Sequence, residues 1–469
     1  MKKPNILFLF TDDQRFDTIN SLGNSKIITP NLDKLVKHGT VFTHAHIPSG
    51  SCAAVCMPSR AMLNSGRSLF HIEGCGECIP PEHVTMAEAF RANGYNTFGT
   101  GKWHNGRESY HRGFTDGDEI WFGGMFDHWN APGFHFDSSG KYDKTIPLIP
   151  NPAFSNEVIE RPADHITPGK HSTDIIADTS INFIRNSEKE EPFYMYVSFL
   201  APHDPRSMPK KYLDMYEGRK ITLPENFMGG HSFDNGELYV RDEKLAPFPR
   251  NPDDTLKQIK EYYAMITHVD DRIGDIVKAL EYKGILDDTI IVLSGDNGLA
   301  VGQHGLFGKQ NCYEHSTRVP LIFSGPGIPE NSKTDAYVYL FDIFPTLCDL
   351  VGMEIPKSVE GKSFAKVINK SEDKFRDKLY FGYRCCQRAV KDRHFKLIEY
   401  VVDGKNNMTQ LFDLRNDPLE IKNLAFKEEY KEKVEELRSE MFKFRDEWDD
   451  NLENLGKIFW AGFAHNTEK

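Results

Sequence analysis

The sequence predicts an α/β chain. A large mixed, mostly parallel sheet sandwiched by helices occupies residues 1–370, and a smaller antiparallel sheet plus helix occupies 371–469. Three observations predict it. Short, wholly apolar runs ("NILFLF", "PFYMYVSFL", "TIIVLSG", "VPLIFSG") alternate with helix-period segments, the pattern of strands covered on both faces. Four strand-like runs are followed by reactive side chains, in "TDD", "GKWH", "APHD" and "SGDNG", as expected where sites form beyond the carboxyl ends of parallel strands. From about Phe375 the texture changes. "KLYFGYR", "QRAVKD", "HFKLIEYVV" and "TQLFDL" read as short strands with close turns, and a helix follows from about Glu428 to Asp450.

Taken in order, "NILFLF" (Asn5 to Phe10) follows Lys2 and Lys3 and imitates an export signal. Asp12 and Asp13 end it after too few residues, and no small-residue cleavage site follows, so a buried strand is expected. No stretch is long enough to span a bilayer. The expectation is a cytoplasmic chain, periplasmic or secreted if a signal preceded this numbering. In "TPNLDKLVKHG", Thr29 can cap a helix, Pro30 suits its first turn and Gly39 its stop. "TMAEAFRANGY" carries a capping box, Thr85 with Glu88, and ends at Gly94. "STDIIADTSINFI" and "LFDIFPTLCDLVG" read as helices. From Leu256 to Lys283 a long amphipathic helix places Ile259, Tyr263, Ile266, Asp270, Ile273, Val277 and Leu280 on one face.

Two irregular zones, Asn105 to Lys170 and Arg206 to Asp254, are too long to be plain connections. With Trp121, Phe122, Phe126, Trp129, Phe134 and Phe136 in the first, ordered substrate-binding loops are expected. A net charge of −12 gives no general affinity for a phosphate backbone and argues against nucleic acid as partner. Eight cysteines in a chain of 469 residues are too few for a disulfide scaffold. "CGEC" (Cys75 to Cys78) lacks the second pair that a zinc site needs, which leaves two loop thiols or a local disulfide.

Asp12, Asp13, Asp296 and Asn297 each follow a predicted strand. Three carboxylates and an amide oxygen suit a hard cation, Ca²⁺ or less readily Mg²⁺; otherwise each pair caps a separate helix. Lys102, His104, His203, Arg60 and Lys309, if gathered at one mouth, form an anion pocket beside that cation, suited to hydrolysing an anionic ester. In "CMPSRAMLNSGR", Pro58 fixes the first turn of a helix and Arg60 lies one turn from residue 56. The helix amino end then lowers the thiol pKa of Cys56 or holds an anion there; alternatively Cys56 is a buried small residue beside Cys52.

These stretches resemble, in the same order, the motifs of the type I, formylglycine-dependent sulfatases of the alkaline phosphatase-like superfamily: "NILFLFTDDQR", "CMPSRAMLNSGR", "GTGKWH", "APHDP", "SGDNG" and "GLFGKQNCYEHSTRVPLIFSGPG". The resemblance runs from about Asn5 to "QRAVKDRHFKLIEY"; Ser65 stands where threonine is usual. It implies that a maturation enzyme reading Cys56, Pro58 and Arg60 oxidises Cys56 to formylglycine. One hydroxyl of the aldehyde hydrate attacks sulfur, and the other expels sulfate by reforming the aldehyde. It further implies Asp12, Asp13, Asp296, Asn297 and residue 56 as Ca²⁺ ligands and Arg60 holding the hydrate. His104 would be the base, His203 the acid for the leaving alcohol, and Lys102 and Lys309 would bind sulfate oxygens. A sulfated saccharide that loses sulfate at a chain end is the implied substrate, with Arg388 (or Arg384), Trp103 and His304 as candidate contacts. Relatives that hydrolyse phosphonate or phosphate esters, or bind without catalysis, are the alternatives. Oligomeric state is not encoded in any motif.

Overall fold

The structure, a computed structural model, describes residues 3–188 and 190–464; Lys2 lies outside them. Its centre is the strand β1 (Asn5–Thr11), buried at every position. Successive side chains of a strand point to opposite faces, and β1 divides accordingly. Leu7 and Leu9 join a core with Val269 and Ile273 of the helix Pro252–Lys283 and with Ile176 and Ile184 of the helix Ser172–Asn186. Ile6, Phe8 and Phe10 join another with Ala61 and Met62 of the helix Cys56–Ser65 and with Phe90 of the helix Met86–Ala92. A run without polar alternation is thus required, because both faces are covered.

The other strands of the main sheet are β2 (Gly39–His46), β3 (Asn96–Lys102), β4 (Asp116–Trp121), β5 (Phe193–Ser198), β6 (Thr289–Gly295), β7 (Arg318–Val319), β8 (Leu321–Ser324) and β9 (Ser332–Tyr339). Their order is β7-β2-β8-β6-β1-β5-β3-β4, with β9 on β2. β6, β1, β5, β3 and β4 are mutually parallel. β8 is antiparallel to both β6 and β2, which makes the sheet mixed. The parallel block matters for function. β6, β1, β5 and β3 are neighbours, so the residues that follow them all emerge at one edge.

The small sheet contains β10 (Leu379–Tyr383), β11 (Gln387–Lys391), β12 (Phe395–Val402) and β13 (Lys405–Asp413), all antiparallel in sequence order. It is not a separate body. Ser49–Gly50, just upstream of Cys56, pairs with Gly382–Tyr383, and one hydrophobic core runs from Ile6 through Leu397 to Phe463. A final helix, Asn454–Ala464, lies beyond the helix expected from sequence and packs on β12 and β13.

Local corrections have physical reasons. Thr29 does not cap the helix Pro30–Lys37. That work falls to Asp270, whose carboxylate accepts from the backbone N–H groups of Asn31 and Leu32 at 2.7–3.2 Å. This explains an acid on the apolar face of the long helix. His38 ends the Pro30–Lys37 helix instead of Gly39, which opens β2. A Cβ on Gly39 would meet the Phe323 carbonyl at 2.2 Å, so the glycine serves strand approach. The Thr85–Glu88 capping box is formed as expected. Cys75 and Cys78 are free thiols, with no disulfide between them.

Candidate active site

The helix Cys56–Ser65 starts at Cys56, with Pro58 in its first turn and Gly66, at φ 67°, closing it. Cys56 is buried at the helix amino end, beneath the edge formed by the four parallel strands. Asp12 and Asp13 follow β1, Lys102 ends β3 with His104 just beyond, His203 follows β5, and Asp296 and Asn297 follow β6. Gly101 permits the crowding there: its φ is +82°, and a Cβ would fall 1.9 Å from the Ser198 carbonyl.

Lys102 Nζ donates to Asp12 Oδ2 at 2.5 Å and to Cys56 Sγ at 3.4 Å. Lys309 Nζ donates to Asp13 Oδ1 at 2.5 Å, and Asn297 Nδ2 donates to the same oxygen at 2.7 Å. Asp296 Oδ1 accepts from the Asp13 backbone N–H at 3.0 Å. His104 Nδ1 lies 3.5 Å from Cys56 Sγ, and His203 Nε2 lies 3.7 Å from Asp13 Oδ2. The strand ends therefore gather Asp12, Asp13, Asp296, Asn297, Lys102, His104, His203 and Lys309 around residue 56.

Arg60 is fully buried, but its hydrogen bonds go to Asp296 Oδ2, the Lys102 carbonyl and Ser198 Oγ. It braces the strand ends; none of its described hydrogen bonds reaches residue 56. Asp12, Asp13 and Asp296 face Arg60, Lys102 and Lys309, three acids against three bases. Burial pushes Asp12 up, but Lys102, His203, Arg60 and Lys309 together hold its carboxyl far below the usual range. Asp296 is pushed up to about 7 by burial and by Asp12, with Arg60 and Lys102 opposing. Burial, then the Lys102 and Arg60 charges, hold His104 well below the ordinary histidine value, so it is neutral at pH 7. The Cys56 thiol moves opposite to the sequence expectation: burial raises it, against Lys102 and Lys309. An unmodified thiolate is therefore disfavoured at this position.

Metal-capable atoms cluster here. Asp12, Asp13 and His203 form one group and Asp12, Cys56 and Asp296 another, each with ligand atoms within 4.8 Å of one another. Two buried oxygens, Asp12 Oδ1 and Asn297 Oδ1, have no hydrogen-bond partner. A buried acceptor without a donor is costly, and a hard cation is a partner that such oxygens suit. The donor set therefore fits the expected ion.

Sequence reasoning missed the groups behind these side chains. His203 Nδ1 is 2.9 Å from the Asp204 carbonyl and 3.3 Å from Asp204 Oδ1, and Asp204 pairs in turn with Arg241. This fixes which ring nitrogen of His203 faces Asp13. Arg241, Asp242 and Glu243 form one short strap: Asp242 accepts from Gln310 Nε2, and Glu243 accepts from the N–H groups of Phe307 and Gly308. The strap ties the His203 loop to the Lys309 loop. Asp204 was visible as the neighbour of His203, whereas Arg241 lies in an irregular zone with no local signal.

Three candidate substrate contacts are instead buried and engaged within the protein. Trp103 is 1% exposed, set edge-on against Tyr110, Phe114 and Tyr196, with Nε1 donating to Ser109. His304 is buried and stacked on Tyr313 at 4.0 Å, and Asn226 Nδ2 lies 3.1 Å from its Nε2. Arg388 is buried in a two-point pair with Asp450, at 2.6 and 2.7 Å, and Asp450 also accepts from Tyr380 and Trp460. Arg384 is engaged by Glu237. Arg388→Ala strands a buried carboxylate, so unfolding by urea is expected to show a loss of about 3–5 kcal/mol. A fully stable variant with a raised KM would instead restore the substrate-contact reading. Of the loop aromatics, Trp121 and Phe134 are buried, while Phe122, Phe126, Trp129 and Phe136 are half-buried, so much of their surface serves packing.

A doubly covered α/β sheet whose strand ends hold a carboxylate cluster, lysines and histidines around a helix-terminal residue defines an ester hydrolase of the alkaline phosphatase-like fold. Comparison with known proteins agrees. Residues 4–353 match the sulfatase family, and residues 302–447 match the family described as N-sulphoglucosamine sulphohydrolase, C-terminal. The chain belongs to the sulfatase family and is a sulfuric ester hydrolase. It is 31% identical to an arylsulfatase of Clostridium perfringens, over 100% of this chain and 99% of that one. It is 27% identical to an N-acetylglucosamine-6-O-sulfatase of Bacteroides thetaiotaomicron, over 96% and 88%. A solved structure described as in complex with its substrate D-glucosamine-2-N,6-O-disulfate matches with a TM-score of 0.77 at 24% identity, over 97% and 99%. A phosphonate monoester hydrolase of Agrobacterium radiobacter matches with a TM-score of 0.74 at 20% identity, over 95% and 96%, a likeness of fold alone.

Proposed function

We propose that this chain removes sulfate from the end of a sulfated carbohydrate, with Cys56 matured to formylglycine by a separate enzyme and one Ca²⁺ held by Asp12, Asp13, Asp296 and Asn297. The observation that carries the reading is the setting of residue 56. It sits at a helix amino end with Lys102 3.4 Å and His104 3.5 Å from its sulfur, yet its thiol is pushed up by burial. Such a thiol is a poor nucleophile, whereas a hydrate at that position has a neutral imidazole beside it.

When bound, the cation polarises the sulfuryl oxygens and offsets charge that develops on them. The protein's own groups do the rest. Neutral His104 takes a proton from the residue 56 hydroxyl. His203, its Nδ1 occupied by Asp204, presents Nε2 to the alcohol that leaves. Lys102 and Lys309 are kept charged by Asp12 and Asp13 despite burial, and supply fixed positive charge for the sulfate oxygens. The carbohydrate assignment draws on the relatives named above.

The test is sulfate release from a panel of defined sulfated mono- and disaccharides, alongside bis(4-nitrophenyl) phosphate. Release of sulfate from at least one sugar is expected. No release across the panel together with cleavage of the phosphate diester would replace the proposal with a phosphoester hydrolase.

A further inference from the structure

Beside His104 the surface opens into a cleft of ≈ 480 Å³ whose wall includes Met57, the residue after Cys56. The connection to the reacting centre is direct. The Gly123–Gly124 segment lines the cleft, and a Cβ on Gly124 would lie 3.0 Å from His104 Nε2. Trp121, Phe122 and Phe134 give this cleft an apolar wall.

Two guanidinium groups line it as well, Arg107 and Arg161. Among the described residues neither has a carboxylate within 4.0 Å, whereas the nearby Arg112 is paired with Glu88 at 3.1 Å. Arg161 Nε is buried and has no hydrogen-bond partner. Each group is held against a ring: Arg161 over Phe126 at 4.3 Å and Arg107 over Phe134 at 5.7 Å. Support by a ring orients a guanidinium without consuming its in-plane donors. The cleft has one acidic lining residue among those described, Glu77, and it pairs with neither arginine. Two oriented, uncompensated cations next to a sulfatase centre are suited to an anion, and planar guanidinium forks match sulfate and carboxylate oxygens.

We propose that Arg107 and Arg161 form a second anion subsite, so that the preferred substrate carries a further sulfate or carboxylate next to the sulfate that is removed. The inference rests on the proposed function and adds a substrate class to it: a doubly anionic sugar unit. The scissile sulfate occupies the centre around residue 56 while the second anion sits in the cleft. The two arginines come from independent elements, the helix Arg107–Gly113 and the hairpin strand Ile159–Pro162, and line one cleft.

The experiment compares matched pairs, each read as substrate or as competitive inhibitor of 4-nitrophenyl sulfate turnover. One pair is D-glucosamine-2-N,6-O-disulfate against N-acetyl-D-glucosamine 6-sulfate, whose 2-position is uncharged; the other is a sulfated uronic acid against its methyl ester. The wild type is expected to favour the doubly charged member of at least one pair by about tenfold or more, chiefly through KM or Ki. The pair that discriminates tells sulfate from carboxylate. In Arg107→Gln/Arg161→Gln the ratio should fall to near one, and Arg107→Lys/Arg161→Lys should recover part of it. A wild-type ratio near one for both pairs, or a ratio that survives the double glutamine variant, overturns the subsite. Turnover of 4-nitrophenyl sulfate by the wild type keeps that outcome distinct from failure of the proposed function.

Discussion

Cys56→Ala is expected to lower sulfate release by about 10⁴-fold or more while the fold persists. The side chain is small and buried at the first position of its helix, so its removal costs only about 1 kcal/mol of stability. The chemical loss is far larger because no neighbour can substitute. Lys102 is committed to Asp12, and His104 carries no attacking oxygen. The measurement is kcat/KM on a sulfated sugar or aryl sulfate, with thermal unfolding as the control. Activity within tenfold of the wild type would remove residue 56 from the chemistry.

Asp12→Asn is expected to cost about 10³-fold in activity and to abolish stabilisation by Ca²⁺. Asp12 is the common member of both metal-capable groups, and its Oδ1 is one of the two buried oxygens without a partner. It also neutralises Lys102 at 2.5 Å and lies 3.6 Å from Arg60. The substitution therefore strands buried positive charge, with a stability cost of about 3–5 kcal/mol in the metal-free protein. For that reason the informative readout is the Ca²⁺ dependence of unfolding, not the absolute stability. Ca²⁺ at a hundredfold excess over its Kd adds about 2.7 kcal/mol to a protein that binds it only when folded. The wild type should show that gain, lose it to a chelator, and regain it on re-addition. An equal gain in Asp12→Asn would place the ion elsewhere.

The catalytic edge was legible because parallel strands deliver their following residues to one side. "TDD", "GKWH", "APHD" and "SGDNG" each end a strand, and β6, β1, β5 and β3 prove to be neighbours. Strand neighbourhood itself was not legible; it depends on pairings between residues as distant as Asn5 and Thr289. Where sequence reasoning failed, burial decided. A tryptophan, a histidine and an arginine near the motifs look like ligand contacts on paper. Trp103 fills an aromatic core, His304 stacks on Tyr313, and Arg388 closes a buried pair with Asp450. The thiol of Cys56 illustrates the same limit. The helix end and two lysines argue for a lowered pKa, but complete enclosure outweighs them. Arg60 was expected to hold the hydrate at residue 56, yet its described donors go to Asp296, Ser198 and a carbonyl from β3.

The small sheet was legible in its strands but not in its attachment. Its alternation predicts β10 to β13, whereas nothing in "SG" at 49–50 announces a strand that carries this sheet to the doorstep of residue 56. Glu314 shows how tightly the parts are joined: it lies buried between Lys391 at 2.7 Å and Lys396 at 3.2 Å. A boundary near residue 370 is thus a change of texture along the chain, not a break in the core.

In the proposed function residue 56 acts as an aldehyde hydrate and not as a thiol. Mass spectrometry of the peptide spanning residue 56, taken from protein made with and without a formylglycine-generating enzyme, tests it directly when read beside activity. Sulfate release should rise in proportion to the fraction of residue 56 found as formylglycine and vanish when that fraction is zero. Full activity from protein whose residue 56 is entirely cysteine would rule out the aldehyde hydrate as the reacting group.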